Sequence, residues 1–195
     1  MQTGLFFGSF NPIHTGHLII ANHILNESSL KKIWFIVSPQ NPFKPKNALL
    51  DEYNRLHLVR LAVEDDNRLK ASDIEFHLPR PSFTSFTLTQ LREKYPDHTF
   101  SIIMGSDSYL NLHKWKNYET IINNYSIYIY KRTGFGVDTN KFKANIFVFE
   151  APQLEISATL IRDNVKTGKS IRYLVPDKVM GEINRGGYYR KELEK

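Results

Sequence analysis

Short, nearly unbroken apolar runs alternate along this chain with longer stretches in which apolar residues return every three or four positions. Leu5-Phe6-Phe7, Ile33 to Val37, Phe100 to Met104, Tyr125 to Tyr130 and Ile146 to Phe149 make up the first kind. Runs of that length without strict alternation suit strands covered on both faces. Between them the spacing predicts helices near Gly16 to Asn26, over Asp51 to Glu64 (Tyr53, Leu56, Val59 and Val63 on one face) and over Thr84 to Tyr95 (Phe86, Leu88 and Leu91). Ser or Thr is expected to cap the third of these. Two more helices are predicted, Ser157 to Lys166 with Ser157 as N-cap, and Pro176 to Asn184. Leu69 to Phe76 reads as a further short strand. Strands separated by helices predict an α/β fold, a mainly parallel sheet between two helical layers. Two loop-rich stretches stand out, Ser38 to Leu49 and His77 to Ser85, and loops at the carboxyl ends of parallel strands carry the site in such folds. The first holds Asn41, Lys44 and Lys46 among three prolines.

Length and composition narrow the picture. The 195 residues suit one α/β domain spanning the whole chain and are too few for two ordinary ones. No run of about 18 apolar residues marks a membrane span. No basic segment precedes the first apolar residues, so no signal peptide is expected. The absence of cysteine excludes disulfides and thiolate metal sites and fits a cytoplasmic protein. The net charge of +6 would suit nucleic acid, a membrane surface or a small polyanion. The basic residues are spread among acidic neighbours and the aromatics are of buried-strand type, so neither nucleic acid nor membrane is the expected partner.

The densest chemistry lies at the first strand-to-helix junction, Gly8-Ser9-Phe10-Asn11-Pro12-Ile13-His14-Thr15-Gly16-His17. A glycine-containing turn entering a helix offers backbone N–H groups and a positive helix end to a phosphate. Two imidazoles added there point to a polyphosphate. A second cluster, Ile156-Ser157-Ala158-Thr159-Leu160-Ile161-Arg162, places hydroxyls at a helix start and a guanidinium about one turn on. Alone it reads as an N-capped helix with a surface arginine; beside the first motif it supplies a second helix end for the same polyphosphate. Other chemistries lack their residues. Gly168-Lys169-Ser170 has Asp163 where a Walker loop needs its first glycine, and there is no Gly-x-Gly-x-x-Gly, His-Glu-x-x-His or Gly-x-Ser-x-Gly. A cradle of imidazoles, helix ends, Lys and Arg suits transfer at phosphorus, where positioning and charge stabilisation dominate.

His14-Thr15-Gly16-His17 and Ile156 to Arg162 resemble the two hallmark motifs of the His-x-Gly-His nucleotidyltransferases. Asp73-Ile74-Glu75, Ser82 to Leu88, Met104 to Ser108 with Leu112 and Trp115, and Leu174 to Tyr188 resemble the bacterial nicotinate-nucleotide adenylyltransferase branch. The resemblance covers nearly the whole chain. It implies a Rossmann-like nucleotidyltransferase domain that joins ATP to nicotinate mononucleotide, releasing pyrophosphate. It further implies that His14, His17, Lys44 and Arg162 act in catalysis, and that the backbone of Gly8, Ser9 and Phe10, with Ser157 and Thr159, holds the ATP phosphates. Gly105 and Asp107 would line the nucleotide pocket. Asn41, Phe83, Thr84 and Trp115 would meet the second substrate, Trp115 by stacking on its pyridine ring. No metal ligand is expected in the protein, Mg²⁺ being held mainly by the ATP phosphates. Read from the residues alone, Trp115 is equally a core residue, Lys44 a solvated loop lysine and Asp107 a helix cap. The chain departs from the family pattern at Ser9, Asn11, Phe43, Phe83 and Ala158. Phosphopantetheine or nicotinamide mononucleotide as acceptor, a non-catalytic binding module, and a homo-oligomeric state all stay open.

Overall fold

The computed structural model of the chain describes residues 1–40, 49–152 and 154–190. Six strands form one sheet: β1 (Gln2–Gly8), β2 (Lys32–Val37), β3 (Leu69–Ser72), β4 (Thr99–Gly105), β5 (Ser126–Tyr130) and β6 (Ile146–Phe149). Their order is β3-β2-β1-β4-β5-β6, and every neighbouring pair is parallel. The expected mainly parallel sheet is thus wholly parallel. Its order reverses between β1 and β4, and the crevice outside the carboxyl ends of those two strands is where such sheets bind ligands.

Strand parity explains the two faces. Phe6, Ile33, Phe35, Val37, Ile103, Tyr128 and Tyr130 enter one core with α1 (Thr15–Asn26), α2 (Glu52–Val63), α6 (Ala158–Lys166) and α7 (Asp177–Arg185). The alternate residues, Leu5, Trp34, Ile36, Ile102, Met104, Ile127 and Ile129, enter a second core. That core is closed by α3 (Thr84–Lys94), α4 (Ser106–Leu110) and α5 (Tyr118–Asn124). Both faces are covered, which is why the strand runs carry so few polar residues.

Three local expectations need correction. The strand expected over Leu69 to Phe76 stops at Ser72, where its register with Ile36 of β2 ends, and Ile74–His77 turns as a 3₁₀ helix. The N-cap of α3 is Phe83, with no side-chain capping bond; Ser82 and Thr87 hydroxyls go to Glu75 instead. Tyr53 is 65 % exposed and does not join the core face of α2. Helices α4 and α5, of five and seven residues, were not predicted. The crossover from β5 to β6 has no helix; Tyr109 Oη donates to the Asp138 carbonyl and Lys141 Nζ to that of Leu110, tying it down.

Candidate active site

The β1–α1 turn is shaped by side chains that pack inward, Phe10 and Ile13 among them. Phe10 has φ of 44°, a left-handed conformation that a bulky residue adopts only when its surroundings impose it. Its ring is buried edge-on against Phe6, Phe35 and His17, and that packing holds the backbone there. His14 is the N-cap of α1 in extended conformation. The rings of His14 and His17 lie with centroids 3.7 Å apart. Gly16 allows this, since a Cβ there would stand 3.1 Å from His14 Nδ1.

The His14 backbone N–H donates to His17 Nδ1 at 3.2 Å. An accepting Nδ1 carries no proton, so the neutral His17 ring presents its proton on Nε2. His14 is 7 % exposed, and its Nδ1 is buried with no hydrogen-bond partner among the described residues. Burial, then the nearby Arg132 charge, push its pKa down to about 4. At neutral pH His14 is therefore uncharged, beside a ring whose donor is already assigned.

The turn is braced from several directions. Arg55 on α2 is fully buried, and its guanidinium donates to the carbonyls of Leu50, Ser9, Ser38 and Pro39 at 2.6–3.1 Å. Burial lowers its pKa, yet a guanidinium stays charged at neutral pH. Asn11 Oδ1 accepts from the Leu50 N–H and from Tyr189 Oη. Arg162 on α6 donates to the Asn11 carbonyl at 2.8 Å and to Thr159 Oγ1 at 3.2 Å. Ser157 caps α6 as expected, accepting from the Leu160 N–H. A Cβ on Gly16 would lie 3.9 Å from Ile156, so the α1 and α6 N-termini converge.

Across the switch point, Gly105 ends β4, and a Cβ there would meet Asp107 Oδ1 at 2.4 Å. Asp107 does not cap α4; its Oδ2 pairs with Arg132 at 3.1 Å, and its Oδ1 is buried with no hydrogen-bond partner among the described residues. From here a cavity of about 380 Å³ runs toward α3. Gly8, Gly105, Phe83, Thr84 and Trp115 line it, together with Ser38, Glu75 and Tyr130. Trp115 both faces this cavity and packs on the second core. Buried Glu75 accepts from Ser82 Oγ at 2.7 Å and Thr87 Oγ1 at 2.9 Å, and burial pushes its carboxyl up.

The structure thus brings Gly8, Ser9, Phe10, His14, His17, Ser157, Thr159 and Arg162 to one end of the crevice and Phe83, Thr84 and Trp115 to the other, with Gly105 and Asp107 between. Asn41, Phe43, Lys44 and Lys46 lie outside the described residues. Sequence reasoning missed Arg55, Arg132 and Tyr189. For Arg132 a signal existed, a basic residue just past the carboxyl end of a parallel strand. Arg55 and Tyr189 act on backbone or amide oxygens far away in sequence and have no local pattern. Among the described residues no group of three His, Cys, Asp or Glu side chains is gathered to hold a metal. None of the described helices is long and apolar enough to cross a membrane.

Residues 5–164 match the cytidylyltransferase-like family model. A protein of Flavobacterium psychrophilum named "probable nicotinate-nucleotide adenylyltransferase" is 51 % identical over 98 % of this chain and 100 % of its own length. The chain belongs to the nicotinate-nucleotide adenylyltransferase family. A second member, from Cytophaga hutchinsonii, is 48 % identical over 97 % of this chain and 98 % of its own. The fold of the enzyme is that of the Plasmodium falciparum nicotinic acid mononucleotide adenylyltransferase complexed with NaAD, with TM-score 0.81 and 20 % identity, covering 96 % of this chain and 97 % of that one.

Proposed function

We propose that this enzyme transfers AMP from Mg·ATP to nicotinate mononucleotide in the cytoplasm, forming nicotinate adenine dinucleotide and pyrophosphate. The observation that carries the reading is an adjacency: Gly8, from which the turn with its two imidazoles starts, lines together with Gly105 an aromatic cavity of about 380 Å³. That size lies in the range of small-molecule pockets. The relatives' names supply the acceptor.

The chemistry is one in-line displacement. An oxygen of the acceptor 5′-phosphate forms a bond to the α-phosphorus of ATP, and the bond from that phosphorus to the bridging β-oxygen breaks. The electron pair leaves with pyrophosphate, and no bond to the protein forms. His17, with its proton on Nε2, stabilises charge growing on the α-phosphate. His14, Arg162, Thr159, Ser157 and the N–H groups of Ser9 and Phe10 hold the triphosphate, and Lys44 supplies a further cation for it. Mg²⁺ arrives as part of the substrate, held mainly by the ATP phosphates. Gly105 and Asp107 line the adenosine side. Trp115 stacks on the pyridine ring, and the N–H groups around Phe83 and Thr84, at the positive end of α3, meet the ring carboxylate.

The test is pyrophosphate release from Mg·ATP with nicotinate mononucleotide, nicotinamide mononucleotide and phosphopantetheine in parallel. Fast release with the first is expected. Release with phosphopantetheine alone would overturn the acceptor assignment, and none with any acceptor would overturn catalysis.

A further inference from the structure

Lys116 lines the acceptor cavity beside Trp115. Its Nζ stands 4.6 Å from the ring centroid of Phe83 and 4.9 Å from that of Phe86. Those two rings meet edge to face, with centroids 5.9 Å apart. Phe83 is the N-cap of α3, so the ammonium is parked at the end of the helix that already carries positive partial charge. The aromatic faces stabilise a cation where the helix end alone would repel it. No described carboxylate pairs with Lys116; the acidic side chain in the cavity wall, Glu75, has its oxygens engaged by Ser82 and Thr87. Lys114 lines the same cavity. The electrostatic result is a pocket lining with two ammonium groups that form no ion pair among the described residues, beside the proposed pyridine ring.

We propose that Lys116 is a specificity-determining residue whose side-chain charge makes this pocket favour an ionised carboxylate on the pyridine ring over a neutral amide. The inference rests on the acceptor reading above. A carboxylate gains from both the ammonium and the helix N–H groups. An amide gains only weakly from a cation and turns its own N–H₂ donors toward other donors. Backbone N–H groups alone accept either an ionised or a neutral oxygen, so the side-chain charge sharpens the choice. The aromatic pair fixes the position of the ammonium, which limits the entropy lost when substrate binds.

The test measures kcat/KM for nicotinate and nicotinamide mononucleotides in the wild type, Lys116→Arg, Lys116→Met and Lys116→Glu. Lys116 is exposed, so the variants should fold. The acid-to-amide ratio should fall about tenfold in Lys116→Met, the size of one charge-assisted contact, through a raised KM for the acid. It should fall further in Lys116→Glu and stay near wild type in Lys116→Arg. An unchanged ratio in Lys116→Met and Lys116→Glu, or equal losses with both acceptors, would overturn the proposal while leaving the acceptor reading intact. A wild type that turns over neither acceptor would sink the acceptor reading and this inference with it.

Discussion

Around the β1–α1 turn the chain is pinned by partners from distant segments: Arg55 holds the Ser9 carbonyl, Arg162 the Asn11 carbonyl and Tyr189 the Asn11 amide. At the α3 end the charged groups, Lys114 and Lys116, are exposed, and Lys116 lies over aromatic rings without an ion pair. The two ends therefore meet different demands. Charge that develops during reaction is best met by donors already in place, because any reorganisation would add to the barrier. Recognition of a ring and its substituent needs a face, an edge and a field. Half-buried aromatics such as Trp115, with an ammonium seated over the rings of Phe83 and Phe86, provide those at low structural cost.

The severest test of this contrast removes the brace. Arg55→Met strips the donor from the buried carbonyls of Ser9, Ser38, Pro39 and Leu50. It should cost about 4 kcal/mol of stability, measured by urea unfolding, the scale on which several buried acceptors lose partners at once. Arg55→Lys keeps the charge and should fold, with KM for ATP raised more than KM for the acceptor. Equal rises would deny Arg55 its link to the turn. Next in size, His17→Ala should lower kcat about 10²- to 10³-fold, as for a lost transition-state donor, with acceptor KM little changed. Near-normal turnover would remove His17 from the reaction.

Acid titration probes the same end. The folded His14 value of about 4 lies below the ordinary 6.5. Folding thus gains from the neutral ring at pH above about 6.5 and loses that gain as pH falls toward 4, about 3 kcal/mol in all. The wild-type urea midpoint should fall across this window, and His14→Ala should flatten the slope; parallel slopes would place the acid sensitivity elsewhere. The smallest effect belongs to the other end. Trp115→Ala should raise acceptor KM about tenfold through lost stacking, with KM for ATP unchanged. An equal rise for ATP would erase the division of the crevice.

How much of this could be read in advance follows the same line. The β1–α1 turn is contiguous, so Gly8 to His17 announced its place between the first strand and the first helix. The strands were legible because burial on both faces leaves runs such as Ile33 to Val37 almost free of polar residues. Leu69 to Phe76 was over-read because its apolar content continues beyond Ser72, the last residue that finds a partner on β2. Helices α4 and α5 are too short to show a period. Glu75 stood in the family pattern, but its part as acceptor for Ser82 and Thr87 depends on a 3₁₀ turn bringing it under α3. Arg55 sits among the buried positions of α2, where a charged residue argues against burial until its carbonyl partners are seen.

The hydrogen bond from Tyr189 to Asn11 joins positions 178 residues apart. A fragment that stops after β5 would carry both histidines yet lack α6 with Arg162, and the hydroxyl that steadies the turn. Partial chains thus hold the signature of the site without its brace, and a truncation far from the histidines reaches the turn as directly as a substitution within it.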